Sequence, residues 1–338
     1  MNTTTTRGPI RHPVSAIAAI AAISLAPLGC NTASAAWPER PVKLVVAAAA
    51  GGPTDDLARV LANGLSEALG TSFFVEIRGG GGGRIGNGAV ARAEPDGYTL
   101  LVSAPTLTIS FAMSPAQTPY DPEKDFAPIA LLATAPAALS VLPKLGVKDL
   151  AGLIALSKQS ADGLSYASAG TATVSNLSAE LLKIRSGLRM AHVAHTGSGP
   201  AIQSLLSGAV HALATPAPAV ATQVEAGTMI ALAVSGSRRW RALPAAPTLE
   251  ELGHKGLVVE ANFGLLAPAA TPADVTAKLA ASTVALLTKP ETRTRLEKLG
   301  YETASDVEQM GPKAWAARIA SDLALWRDAV KQAGLAGK

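Results

Sequence analysis

The sequence predicts an α/β protein of two lobes joined by two crossing segments, on three observations. Short apolar runs alternate with longer helical patterns from Trp37 onward. The alternation falls into two sets. Each set is followed by one long extended apolar stretch. Such a β–α–β rhythm predicts a mostly parallel sheet with helices on both sides.

The chain has 338 residues, 48% of them hydrophobic, enough for two cores. In the first set, PVKLVVA (41–47) reads as a buried strand. Pro53 opens a helix with Leu57, Leu61, Leu65 and Leu69 four apart on one face. Strand FFVEI, a helix from Ile85 and strand YTLLVS (98–103) follow. Residues 127–143 are extended and suit a first crossing. The second set holds helix DLAGLIALSK, strand LSYA (164–167), a helix after Thr173 and strand MAHVAH (190–195). It continues with a helix from Pro200, strand HALA (211–214), a helix through Val220 and strand IALAVS (230–235). NFGLLAP (262–268) suits the return crossing, and helices beginning near Pro272, Glu291 and Pro312 complete the chain. The expected lobes are residues 37–136 with 262–338, and residues 137–261.

The first 36 residues read as a signal peptide. Arg7, Arg11 and His12 precede the apolar run VSAIAAIAAISLAPL, and Ala33-Ser34-Ala35-Ala36 offers cleavage after Ala36. Export to a periplasm is expected. Cys30, the single cysteine, precedes that cut, so the mature chain would lack a thiol; lipid anchoring at Cys30 is the alternative. Removing Arg7 and Arg11 takes the net charge from +4 to +2, with signs mixed along the chain and no basic stripe for nucleic acid.

Gly81, Gly83 and Gly86 satisfy the dinucleotide pattern G-x-G-x-x-G. That fingerprint also needs an acid at the end of the next strand. Here the strand ends in Ser103-Ala104-Pro105, and the nearby acids Glu94 and Asp96 precede it. No nucleotide cofactor is expected.

Two turns are more informative. After the first strand, Gly51-Gly52-Pro53-Thr54-Asp55 enters a helix without a Ser, Asp or Asn before Pro53. The N–H groups of Thr54 and Asp55 are then open to an anion, unless water alone caps the helix. In the second set, Ser168-Ala169-Gly170-Thr171-Ala172-Thr173 offers three hydroxyls and the Gly170 N–H, or else ordinary capping. Two uncharged turns on opposite lobes suit a clamp for a small carboxylate.

His192-x-x-His195 lacks a completing carboxylate, and on an extended segment its two rings point to opposite faces, so no metal is expected. Gly197-Ser198-Gly199 is not a nucleophile elbow and reads as a helix start at Pro200. Arg238, Arg239 and Arg241 around Trp240 form either a solvated corner or a docking surface for a membrane partner. Trp315 and Trp326 read as packing residues.

WPERPVKLVV (37–46), GGPTD (51–55), VEIRGGGGGRIG (75–86), AEPDGYTLL (93–101), YDPEKDFAPI (120–129) and YASAGTATVSNLSAEL (166–181) carry a family resemblance. HVAHTGSGPAI (192–202), ALAVSGSRRWRALPAAPTLEELG (231–253) and FGLLAPAATP (263–272) extend it over the whole mature chain. The chain resembles the Bug receptors, extracytoplasmic solute-binding proteins of tripartite tricarboxylate transporters. The resemblance implies a type II periplasmic-binding-protein fold, a small carboxylate as ligand, membrane transporter subunits as partners, a monomer and no enzymatic activity. A sensor feeding a membrane kinase and an exported hydrolase are the alternatives.

By analogy the loops after Ala47, Ser103, Ala167, Val193 and Ala214 face the cleft. The expected site is Thr54, Asp55 (through its N–H), Ser168, Gly170, Thr171 and Thr173 on the carboxylate, with Ala48, Gly52, Thr106, Ala169, His195 and Thr215 around it. The chain departs from the family pattern at Ala47–Ala50, Gly79, Arg84, Ala194-His195-Thr196 and Thr215, which implies a roomier pocket with a titratable group beside it.

Overall fold

Val42–Val46 forms β1, four of its five side chains buried, as an interior strand of apolar residues requires. The computed structural model describes residues 1–6, 8, 37–171, 173–304 and 306–334, and chain contacts divide it at residue 36 into two units, of which 37–338 concerns us. The apolar run of the expected signal peptide, the expected cut after Ala36 and Cys30 lie outside the described residues. Among the described residues no helix is long and apolar enough to cross a membrane.

From β1 the chain turns at Gly51-Gly52 into α1 (Pro53–Leu69), which buries Leu57, Leu61 and Leu65. Gly70, left-handed at φ 67°, ends that helix. β2 (Phe73–Ile77) lies parallel to β1. The glycine run then makes a short 3-10 turn and enters α2 (Arg84–Ala91). A Cβ at Gly86 would stand 2.5 Å from the Arg78 carbonyl oxygen and 2.7 Å from Ala47 Cβ, so this glycine lets α2 pack against the end of β1. β3 (Thr99–Ser103) pairs parallel with β1 and leads into α3 (Thr106–Met113), a helix unforeseen in the sequence. Its residues TLTISFAM are buried nearly all round, so no 3.6-residue stripe betrays it.

The first extended stretch is a 16-residue strand, β4 (Phe126–Val141). α4 (Leu150–Gln159), β5 (Leu164–Ser168), α5 (Val174–Ser186), β6 (Met190–Ala194) and α6 (Ser198–Leu206) follow. β7 (Ala212–Pro216), α7 (Ala221–Glu225), β8 (Ile230–Val234) and β9 (Glu260–Pro268) continue the chain. α8 (Ala273–Thr288), α9 (Pro290–Lys298) and α10 (Pro312–Gln332) end it. The helix after the Gly-Ser-Gly turn starts at Ser198 rather than Pro200, and the one through Val220 is a 3-10 turn running into α7.

The sheet order is β2-β1-β3-β9-β4-β7-β5-β6, with β8 also on β4. β5 pairs parallel with β6 and β7. β4 runs antiparallel to β9 from Phe126 to Pro136, then antiparallel to β7 and β8 from Ala137 onward. One strand therefore serves two parts of the sheet. The expectation of a mostly parallel sheet is corrected to a mixed one: both crossing segments enter the hydrogen bonding as strands, and both run against their neighbours.

Trp315 and Trp326 are buried in the core, as packing residues. Arg238, Arg239 and Arg241 pair with Glu302, Glu251 and Glu297 at 2.5, 2.9 and 2.6 Å, while Trp240 is buried. Each guanidinium stands on its own carboxylate, exposed to solvent.

Candidate ligand-binding site

Parallel strands deliver their C-terminal ends to one edge of a sheet, and the helices that follow begin there. Four such helices, α1, α3, α5 and α6, start on the wall of one cavity of about 450 Å³. Its wall comprises Ala48–Thr54, Ala104–Thr106, Ala169 with Thr173–Ser175, Thr196–Pro200 and Pro216. Ile109, Ala261 and Phe263 complete it. All five loops anticipated after Ala47, Ser103, Ala167, Val193 and Ala214 contribute.

Each helix leaves amides unpaired where it meets the cavity. At α1 the N-cap is Gly52, which has no side chain to offer, and Pro53 has no N–H. The amides of Asp55 and Asp56 both donate to the Gly52 carbonyl, at 3.0 and 3.1 Å, which leaves that of Thr54. At α3 the Leu107 amide donates to Ala104 and those of Thr108 and Ile109 to Pro105, leaving Thr106. At α5 Thr173 caps the helix: its Oγ1 accepts from Asn176 N at 3.2 Å and donates to the Gly170 carbonyl at 2.9 Å. A side-chain cap of this kind reaches only the third amide, so Val174 and Ser175 stay open. At α6 the N-cap Gly197 again has no side chain, and the amides of Ser198 and Gly199 are left. Among the described residues none of these six N–H groups meets an acceptor, and all six residues line the cavity.

Among the described residues no acid or base lines the wall. Four helix N-termini face it instead, each equivalent to about half a unit of positive charge. Thr54, Thr106, Thr196 and Ser198 add hydroxyls, and Phe263, set edge-on to Tyr301 at 5.4 Å between ring centres, adds an apolar floor.

Of the twelve residues anticipated from sequence, Ala48, Gly52, Thr54, Thr106, Ala169 and Thr173 stand on the wall. The other six stand behind or beside it. The Asp55 amide is bound to Gly52, and its buried carboxylate instead accepts the Gly51 N–H at 2.8 Å and pairs with Arg59. Ser168 is fully buried; its Oγ lies 2.7 Å from His192 Nε2 and accepts the Gly170 N–H at 3.2 Å, so that amide is not open. Thr171 is exposed off the wall. His195 is half-buried and donates its amide to the Ser168 carbonyl. Thr215 is fully buried, and its neighbour Pro216 reaches the cavity in its place. Both histidines are half-buried. Burial pushes the His192 imidazole below its usual range, and its ring stacks on Tyr166 at 4.9 Å. The residues missed in the sequence are chiefly Val174, Ser175 and the Thr196–Pro200 turn. The glycines flanking Ser198 after a strand were the available signal.

The family profile described as the tripartite tricarboxylate transporter family receptor matches residues 57–335. The chain belongs to this family. Within it, the receptor is similar to Protein BugT of Bordetella pertussis, 36% identical over 248 residues, 73% of this chain and 74% of that one. Among solved structures the receptor resembles MatC from Rhodopseudomonas palustris with bound malate, at 34% identity and a TM-score of 0.77, covering 87% of this chain and 99% of that one. It likewise resembles an R. palustris protein solved with adipate, at 33% identity and a TM-score of 0.80, covering 88% and 98%. The mixed α/β architecture of the receptor is thus that of the periplasmic binding proteins of its family.

Proposed function

We propose that the protein is a non-enzymatic periplasmic receptor that captures a small carboxylate in this cavity and delivers it to the membrane subunits of a tripartite tricarboxylate-type transporter. In this reading residues 37–136 with 262–338 form one lobe and residues 137–261 the other, and the monomer closes over its ligand about β4 and β9. One observation carries it: six open backbone amides at four helix starts surround a cavity that has no ionised side chain among the described residues. Such a wall attracts an anion and repels a cation. The malate and adipate held by similar proteins support the ligand class.

The energies suffice. Micromolar capture needs about 8 kcal/mol. Sheltered helix ends supply up to roughly 2 kcal/mol each, and charge-assisted hydrogen bonds about 1.5–3 kcal/mol each, against the cost of association. No arginine is required.

The test is a thermal-shift and calorimetry panel of mono-, di- and tricarboxylates, aromatic acids, amino acids and neutral sugars. A carboxylate at about 100 times its Kd should add about 2.7 kcal/mol of stability. A chain stabilised by sugars or amines and by no carboxylate would refute the reading.

A further inference from the structure

Ser175 is the second residue of α5, and it walls two spaces at once. One is the large cavity; the other is a small space of about 20 Å³ lined also by Ser178, Ala214 and Ser235. The residue is 1% exposed, and its Oγ has no hydrogen-bond partner. The usual partner of a helical serine, a carbonyl one turn earlier, is not bonded to it. Buried hydroxyls are nearly always paired, so one left alone at a helix end calls for an explanation.

We propose that Ser175 is a specificity-determining residue for the ligand carboxylate. One rotation about its Cα–Cβ bond, between staggered positions, would turn Oγ toward the large cavity. There it donates to the same carboxylate end that the Val174 and Ser175 amides face. Three donors at one end favour a group with acceptors only, a carboxylate, over the matching primary amide, whose NH₂ brings hydrogens toward hydrogens. Thr173 cannot take this part, because its hydroxyl hydrogen is engaged by the Gly170 carbonyl.

The inference rests on the carboxylate-receptor reading, and the experiment separates the two. Adipate, malate, citrate and benzoate are titrated calorimetrically into the wild-type chain, and the tightest is carried forward with its monoamide. Ser175→Ala is expected to weaken that acid at least about tenfold, to narrow the acid-to-amide ratio, and to leave the melting temperature of the ligand-free chain unchanged or higher. Ser175→Cys, which keeps the bulk but donates poorly, should bind like the alanine variant. Equal affinity in Ser175→Ala, or a lower ligand-free melting temperature with affinity intact, would make the hydroxyl structural and overturn the inference alone. A wild-type chain that binds none of the four acids would overturn the receptor reading and this inference with it.

Discussion

Replacing Asp322 with asparagine should make the protein more stable at neutral pH and leave it unchanged in acid. Asp322 lies on α10 with 6% of its surface exposed, and both its oxygens accept from one donor, Asn262 Nδ2, at 3.0 and 2.9 Å. Burial raises its carboxyl from the ordinary 3.8 to about 6, with Glu260 adding to the rise and the Asn262 bond and Arg318 opposing it. Each pH unit corresponds to about 1.36 kcal/mol, so the interval from 3.8 to 6 amounts to about 3 kcal/mol. The raised value means that the protonated form favours folding. That contribution is complete below the unfolded value of 3.8 and is lost as pH rises through about 6. Asparagine has no proton to lose. It can accept from Asn262 Nδ2 and donate to Asn262 Oδ1, which has no partner at present. Urea denaturation of both proteins at about pH 3 and about pH 7.5 should show Asp322→Asn level with the wild type at the first and ahead by about 3 kcal/mol at the second. A difference that does not change with pH would refute the argument. A weaker variant at the higher pH would mean that Arg318 keeps the carboxylate charged at a profit to the fold.

Thr173→Ala removes the cap of α5 and should cost about 1 kcal/mol in denaturant with little change in ligand affinity, while Thr173→Ser keeps the cap and the stability. Gly264→Ala places a Cβ 2.2 Å from the Trp315 ring on a central strand and should cost about 1–3 kcal/mol, read as a lower melting temperature. Asp55→Ala strips the Gly51 amide of its acceptor and should weaken both folding, by about 1–2 kcal/mol, and carboxylate capture by calorimetry; Asp55→Asn, which still accepts, should lose less.

Much of the fold was legible because its signals are local. The four-residue spacing of Leu57, Leu61 and Leu65, the proline at the start of α1 and the short apolar strands each fix an element without knowledge of the others. The site was legible to the level of loops, since strand direction in β–α–β units decides which ends meet. Individual donors were not. Asp55 could spend its amide on a ligand or on Gly52, and only coordinates distinguish these. Thr215 and Pro216 adjoin on a strand buried along most of its length, where composition does not say which residue faces the cavity. α3 lacked an amphipathic stripe because it is enclosed on most sides. Extended segments carry no mark of direction, so β4 and β9 gave no warning that half the pairings are antiparallel.

Peptide N–H groups neither gain nor lose protons anywhere a cell survives, and the cavity is faced with them rather than with histidine, lysine or arginine. Acidification would therefore leave those amide donors themselves unchanged. If the proposed carboxylate reading holds, what fades is the ligand, which loses its charge once the medium drops below its own ionisation constant, so binding should track the chemistry of the acid and not that of the wall.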